Sequence, residues 1–203
     1  MNAKNSPALL VKMRKSPNTE LIEFDTERLR LRQWKSSDYE PFAALNSDPR
    51  VMAFFPSPLT RTDSDAMADR CQFLIEERGW GLWATECKIT QDFIGFVGLH
   101  VPAPELPFSP CIEVGWRLAF PYWGKAYATE AAQGALGIGF ERLNVPEIVS
   151  FCAVDNFRSR AVMKRLGMRE AGTFEHPSVP VGSMLRTHCL YRLPREVFFS
   201  SGR

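Results

Sequence analysis

One stretch constrains this chain more than any other: IEVGWRLAFPYWGKAYATEAA, Ile112 to Ala132. A strand-like run leads into Pro121, Tyr122, Trp123, Gly124, Lys125 and Ala126, and then into a helical segment whose first turns hold only small or cap-compatible residues. A helix start leaves its first backbone N–H groups unpaired and carries about half a positive charge, so it is a ready site for an anion. Gly124 and Ala126 would let a phosphate approach that backbone closely. A strand, a glycine turn and a small-residue helix also occur wherever a helix packs tightly on a sheet, so on these residues alone both readings stand.

A second segment, Val154 to Met168, reads VDNFRSRAVMKRLGM. Asn156 suits an N-cap, because its side-chain oxygen can accept from an early helical N–H. Counting from it, Asn156, Ser159 and Met163 fall at i, i+3 and i+7, which sets a polar pair on the apolar, inward face. A plain cap for Asn156, and for Ser159 a hydroxyl bonded back to the Asp155 carbonyl, are the structural alternatives.

The remainder describes one domain able to bury a core. The chain has 203 residues, 45% of them hydrophobic and 12% aromatic, with 25 Lys plus Arg against 23 Asp plus Glu. A net charge of +2 gives no hint of a nucleic-acid partner, which usually calls for a clustered basic excess. No run approaches the roughly 18 apolar residues of a membrane span. Cys71, Cys87, Cys111, Cys152 and Cys189 are odd in number and never paired as CxxC, which suggests neither a disulfide framework nor a zinc site, and a reducing cytoplasm as the compartment. His100, His176 and His188 show no metal-ligand spacing, so no metal is expected; His176 and His188 bracket the last loop and could contact a substrate. Met1 to Glu20 lacks a signal peptide's apolar core.

Leu29 and Leu31 alternate with Arg28, Arg30 and Arg32, a period of two that suits a half-buried strand. Ser37 and Glu40 form a capping-box pattern ahead of a short helix with Phe42 and Leu45, and Thr62 and Asp65 mark a second helix that Gly79 stops. Leu82 to Ile89 and Phe93 to Val101 read as strands flanking a turn at Thr90, Gln91 and Asp92. After a proline-rich loop come a strand at Cys111 to Ala119, a helix from Gly124 to Arg142, a strand at Ile148 to Val154 and a helix from Asn156 to Leu166 closed by Gly167. Two final strands fall near Met168 to Glu175 and Leu185 to Leu193. The order describes a single mixed α/β (α+β) domain over residues 26–195, with an N-terminal tail at 1–25 and a C-terminal end at 196–203.

WGKAYATEA from Trp123, DNFRSRAVMKRLGM from Asp155, IEVGW from Ile112 and TERLRLR from Thr26 together resemble the GNAT superfamily of N-acetyltransferases. The branch most resembled is that of the ribosomal-protein alanine and serine N-acetyltransferases, RimJ/RimL-like. The resemblance implies a twisted, mostly antiparallel sheet splayed between its fourth and fifth strands, with acetyl-CoA as co-substrate lying in the V. The family's pyrophosphate loop, Q/R-x-x-G-x-G/A, maps onto Pro121, Gly124 and Ala126, with Pro121 departing from the first position. Trp123, Gly124, Lys125, Ala126, Tyr127 and Ala128 would hold the diphosphate, backbone groups of Trp116 and Leu118 would pair with the pantetheine arm, and Asn156 would bond the pantetheine region. Arg158 and Arg160 are candidates for the 3′-phosphate or for an ordinary solvated helix face.

The implied reaction moves an acetyl group to a primary amine by direct attack in a ternary complex. An amine near pH 7 is mostly protonated, with a pKa of about 10.4 if lysine-like and about 7.7 to 8.0 if an α-amino group, so a base must act first. Glu113 is the candidate base, since relatives carry a strand carboxylate there; a salt bridge to Arg117, two alternations along the same face, is the alternative. Many relatives protonate the departing thiolate with a tyrosine at the position of Met163, which cannot serve. The RimJ/RimL-like branch has a serine at the position of Ser159, which takes that role here. Backbone donors near Trp116 would stabilise the oxyanion. Expected partners are acetyl-CoA and an amine acceptor, either a protein N-terminus or a small amine, with no nucleic acid and no membrane, in a monomer or homodimer. The rival reading is a catalytically silent acyl-CoA-binding or sensing domain on the same fold. Acceptor specificity should come from residues 46–61 and from the loop at 175–185, and Trp80, Trp83, Phe54 and Phe55 read as core or pocket wall.

Overall fold

A computed structural model of the protein describes residues 20–200, so most of the expected tail and residues 201–203 lie outside the described residues. The elements run β1 (Phe24–Asp25), β2 (Leu29–Arg32), α1 (Tyr39–Ser47), α2 (Arg61–Arg78), β3 (Leu82–Cys87), β4 (Phe93–His100), β5 (Glu113–Leu118), α3 (Tyr127–Gly137), β6 (Glu147–Ala153), α4 (Phe157–Arg165), β7 (Arg169–Glu175), β8 (Thr187–Pro194) and α5 (Arg195–Ser200). They build one eight-stranded sheet in the order β1-β2-β3-β4-β5-β6-β8-β7. Every pairing is antiparallel except β5 with β6. This is the mixed, mostly antiparallel sheet flanked by helices that the sequence implies.

Leu29 and Leu31 are buried, as their alternation requires. Arg32 breaks the pattern: its guanidinium is buried, with Nη1 and Nη2 donating to Asp38 Oδ2 at 2.7 Å and Oδ1 at 2.9 Å, and Nε donating to Glu86 Oε2 at 2.7 Å. Asp38 Oδ2 also accepts from the Lys35 N–H. The cap ahead of α1 is therefore built by Asp38 in a 3₁₀ turn, Ser36–Asp38, and not by the Ser37 and Glu40 pair, because the buried arginine holds the carboxylate there. For α2 the cap is Thr60, whose side chain accepts from the Asp63 N–H, two residues before the expected start. Gly79 closes that helix at φ 81°, a conformation glycine adopts without steric cost.

Two short elements lie outside the span expected for the domain. Ile22 is buried and its carbonyl accepts from Trp83 Nε1 at 2.7 Å, while β1 pairs with β2. At the other end Phe198 of α5 is buried against Phe140, ring centroids 4.8 Å apart. Both extensions cover core that the sheet and α3 leave open.

The helices divide between the two faces of the sheet. Phe42 of α1 meets Phe96 of β4 at 6.0 Å, so α1 and its partner α2 cover one face. The other face carries α3, whose Ala131, Ala132 and Ala135 are fully buried. A Cβ on Gly134 would come within 2.5 Å of Phe24, so the small-residue run is also what a close helix-on-sheet approach demands. Glu130 of α3 ties the TERLRLR and ATEA segments together, accepting from Thr26 Oγ1 at 2.6 Å, the Arg28 N–H at 2.7 Å and Arg28 Nε at 2.6 Å. Beyond Gly137 the helix continues as a π-helical turn, Ile138–Arg142.

Candidate active site

The parallel pair β5 and β6 meets at a single register position, Glu113 opposite Val149, where the Val149 N–H donates to the Ile112 carbonyl at 2.9 Å. Beyond it the strands part, leaving a V open toward Leu118 and Ala153. These two strands are the fourth and fifth by the sequence's count, which does not include the two-residue β1. On its far side β5 remains paired with β4 from His100 opposite Glu113 to Gly95 opposite Leu118. The Ala119 N–H donates to the Ile94 carbonyl, which sets the phase of that ladder. Odd-numbered residues of β5 thus bond to β4, and Val114, Trp116 and Leu118 turn their amide groups into the V. The Leu118 carbonyl is already taken by Trp123 Nε1 at 2.7 Å. Of the two residues expected to pair with an extended ligand, Trp116 offers both backbone groups and Leu118 only its N–H.

At the open end of β5 the chain turns into α3. Gly124 has φ 75° and Ala126, the N-cap, φ 62°, so the helix starts at Tyr127 and not at Gly124. A left-handed alanine is strained by about 1–2 kcal/mol, and strain of this kind collects where the backbone serves a ligand. Among the described residues, the N–H groups of Gly124 to Thr129 have no protein acceptor; the first satisfied one is Glu130, which donates to the Ala126 carbonyl at 3.0 Å. Gly124, Lys125 and Ala126 are exposed, and a Cβ on Gly124 would meet nothing within 4 Å. Consecutive donors in left-handed and helical conformation make an anion-binding concavity at the positive end of a helix. Arg158 of α4 lies over the Trp123 ring at 4.7 Å, beside this loop. Arg160 is occupied elsewhere, donating to the Val154 carbonyl and facing Glu170.

Asn156 caps α4, its Oδ1 accepting from the Ser159 N–H at 3.1 Å. The cap reading of Asn156 is therefore realised, and its amide nitrogen stays free for another partner. The Ser159 hydroxyl has no hydrogen bond among the described residues, so the bond back to the Asp155 carbonyl does not form. Met163, one turn on, is buried.

At the apex Glu113 is 7% exposed. Its Oε2 lies 2.8 Å from His100 Nε2, in ion-pair range but not aligned as a hydrogen bond. The expected alternative, a salt bridge from Glu113 to Arg117, does not form: Arg117 Nη1 donates to Asn46 Oδ1 at 2.6 Å. Arg117 and Glu113 share the face covered by α1 and α2, opposite Val114, Trp116 and Leu118. Across the V, Phe151, Phe174, Phe108, His176 and His188 form a ring cluster, with the two imidazoles 4.8 Å apart. Burial lowers the pKa of His188, and burial together with His188 lowers that of His176, whose shift Glu113 partly offsets. The sequence places Asn46 at the start of the acceptor stretch and weighs His100 only as a metal ligand; their partners Arg117 and Glu113 come from the fold, and a histidine ending a strand that pairs with the Glu113 strand was the available signal. Among the described residues no group of His, Cys, Asp or Glu is arranged to hold a metal ion, and no helix is long and apolar enough to cross a membrane.

A sheet parted between two parallel strands, with unused backbone donors at the mouth of the V and a buried carboxylate at its apex, defines the acetyltransferases of the GNAT type. The model of the acetyltransferase (GNAT) domain matches residues 28–169, and the chain belongs to that family. It is similar to the uncharacterized N-acetyltransferase YnaD of Bacillus subtilis, 31% identical over 170 residues that cover 80% of this chain and 91% of that protein. Among solved structures it is similar to a GNAT-family acetyltransferase from Bacillus anthracis, with 26% identity, a TM-score of 0.72, and 86% of this chain and 99% of the other covered. A structure of RimL, a ribosomal L7/L12 α-N-protein acetyltransferase in complex with coenzyme A, shares the fold at 18% identity, with a TM-score of 0.68 and 85% and 98% of the two chains covered.

Proposed function

We propose that the protein is an acetyl-CoA-dependent N-acetyltransferase that acylates a primary amine within a ternary complex. The observation that carries this reading is the run of six acceptor-free N–H groups from Gly124 to Thr129, set at the mouth of a V whose β5 edge offers the Trp116 amide. Such an edge and loop fit an elongated ligand that is anionic at one end and peptide-like along its arm, as coenzyme A is. Its thioester supplies an activated acetyl group. Gly124 to Ala128 bind the diphosphate through backbone N–H groups, Trp116 and the Leu118 N–H bond the arm as an added strand would, and the free Asn156 amide nitrogen donates to it.

Glu113 takes the proton that the amine must lose before its lone pair can attack the thioester carbon. The carbon–sulfur bond then breaks as the nitrogen gives up its second proton, and the Ser159 hydroxyl, which has no hydrogen bond among the described residues, delivers a proton to the departing sulfur and regains one from the nitrogen through solvent. A backbone N–H near Trp116 is the oxyanion donor. The resemblance to RimJ/RimL-like enzymes supports a protein N-terminus as acceptor, and five free cysteines support a reducing cytoplasm as the compartment.

Purified protein supplied with acetyl-CoA and an amine panel should release free thiol, measured with a chromogenic disulfide. Mass spectrometry of a ribosomal-protein mixture and of the small amines then shows which acceptor gains the acetyl mass. Saturable coenzyme A binding with no thiol released over the whole panel would establish the silent, sensing alternative. Absence of coenzyme A binding would overturn both.

A further inference from the structure

Arg117 stands out as a cation with no anion among the described residues. It lies on β5 on the same face as Glu113, with only Gly115 between them on that face. A Cβ on Gly115 would meet nothing nearer than Glu113 Oε1 at 4.0 Å, so there is room directly above Gly115 beside the carboxylate. The Arg117 Cζ lies over the Phe55 ring at 4.1 Å and the Phe96 ring at 5.5 Å. Nη1 is used, donating to Asn46 Oδ1, and Asn46 is itself held by Nδ2 donating to Ser64 Oγ at 2.9 Å. Nε is buried with no partner, and Nη2 donates to nothing among the described residues.

Nε and Nη2 together are the edge of an arginine that matches a carboxylate with two parallel hydrogen bonds. Burial brings the Arg117 pKa down to about 10, which leaves the side chain charged at neutral pH. A buried, charged donor without a partner is costly, and the cost is recovered when an anion arrives.

Building on the acetyltransferase reading, we propose that the acceptor is an amino carboxylate whose carboxylate docks on the Nε–Nη2 edge of Arg117 while its primary amine lies over Gly115 toward Glu113. The Cα atoms of Glu113 and Arg117 are about 13 Å apart along an extended strand, and the Glu113 carboxylate lies over Gly115 within that interval. That interval accommodates a free amino acid or the N-terminal residue of a peptide with an acidic side chain. It disfavours polyamines and polycationic antibiotics, which would set a second ammonium against the guanidinium.

The test compares matched pairs of acceptors on the full chain by thiol release: amino acids against their amides, ω-amino acids against the corresponding alkylamines, peptides with acidic against neutral N-terminal residues, and spermidine. The expected kcat/KM for the carboxylated member is about tenfold to a hundredfold higher, the range for hydrogen bonds to a charged group. The free-acid and peptide arms tell the two sources apart. Arg117→Met should abolish the preference by raising KM for carboxylated acceptors while leaving their amides unchanged. Arg117→Lys, which keeps the charge without the fork, should restore only part of it. A merely structural arginine would lower all acceptors alike. Equal rates within every pair, or a preference for spermidine, overturns the proposal.

If no amine is acetylated, calorimetry of the same compounds on the coenzyme A-loaded protein separates the cases. Carboxylate binding that Arg117→Met removes keeps the anion site and rejects the enzyme reading, whereas no binding by any carboxylated amine rejects the site.

Discussion

The carboxylate of Glu113 and the imidazole of His100 face each other across the β4–β5 pair, with Oε2 and Nε2 2.8 Å apart. They stand directly opposite in register, at the one position where β5 is also joined to β6. The imidazole thus stands beside the carboxylate at the apex of the V. Glu113→Gln keeps the shape and removes the base, so kcat should fall about a hundredfold, within the span of general-base catalysis, while coenzyme A binding measured by calorimetry stays unchanged. His100→Gln should lower kcat by a smaller factor.

At Gly124, φ 75° and open space above the Cα describe a residue whose missing side chain leaves room for a ligand. Gly124→Val adds backbone strain of about 1–2 kcal/mol and fills that room. KM for acetyl-CoA should rise at least about tenfold while KM for the acceptor is unchanged, read from initial rates at crossed concentrations.

The cap at Asn156 separates two uses of one side chain. Asn156→Ala removes the oxygen that accepts from the Ser159 N–H and should cost about 1 kcal/mol, a fall of roughly 2–4 °C in Tm. Asn156→Asp keeps the cap oxygen and loses the amide donor. A variant that holds its Tm but binds coenzyme A more weakly would assign that donor to the ligand, and equal binding would leave Asn156 as a cap alone.

The buried Arg32 and Asp38 pair makes a prediction about stability alone. Asp38→Asn leaves the guanidinium with Glu86 as its remaining carboxylate, and breaking a buried pair of this kind costs about 3–5 kcal/mol. Thermal unfolding should begin about 10 °C lower. An unchanged Tm would show that the pair contributes nothing net.

Burial lowers the pKa of His188 in the folded protein, so below the ordinary value of about 6.5 the unfolded chain binds more protons than the folded one. Stability from this source is complete above pH 6.5 and is lost as the pH falls from there toward the lowered folded value. Tm should drop between pH 7 and 5.5, and His188→Gln should flatten the drop. His176, shifted the same way, adds to it.

Much of the frame was legible because it is local. The Leu29 and Leu31 alternation, the turn at Thr90 to Asp92, and the glycines at 79 and 167 report on neighbours a few residues away, and each marks the element it suggested. The boundaries that moved did so for tertiary reasons. Arg32 draws Asp38 into the cap of α1, and left-handed Gly124 and Ala126 delay α3 to Tyr127, where the donors they expose face the V.

The amino-acid sequence by itself determined that a strand, a glycine turn and a small-residue helix occur together, that Asn156 starts a helix, and that Glu113 shares a strand face with Arg117. All of these follow from spacing along one chain. Only the tertiary structure decided what those groups touch. Arg117 turns to Asn46, 71 residues away, and not to Glu113, because the sheet brings α1 and α2 over that face. His100 reaches Glu113 through the β4–β5 register, and the Trp123 indole claims the Leu118 carbonyl. Periodicity gives the direction of a side chain; its partner depends on which distant element the fold packs there, which leaves one guanidinium edge of Arg117 unclaimed.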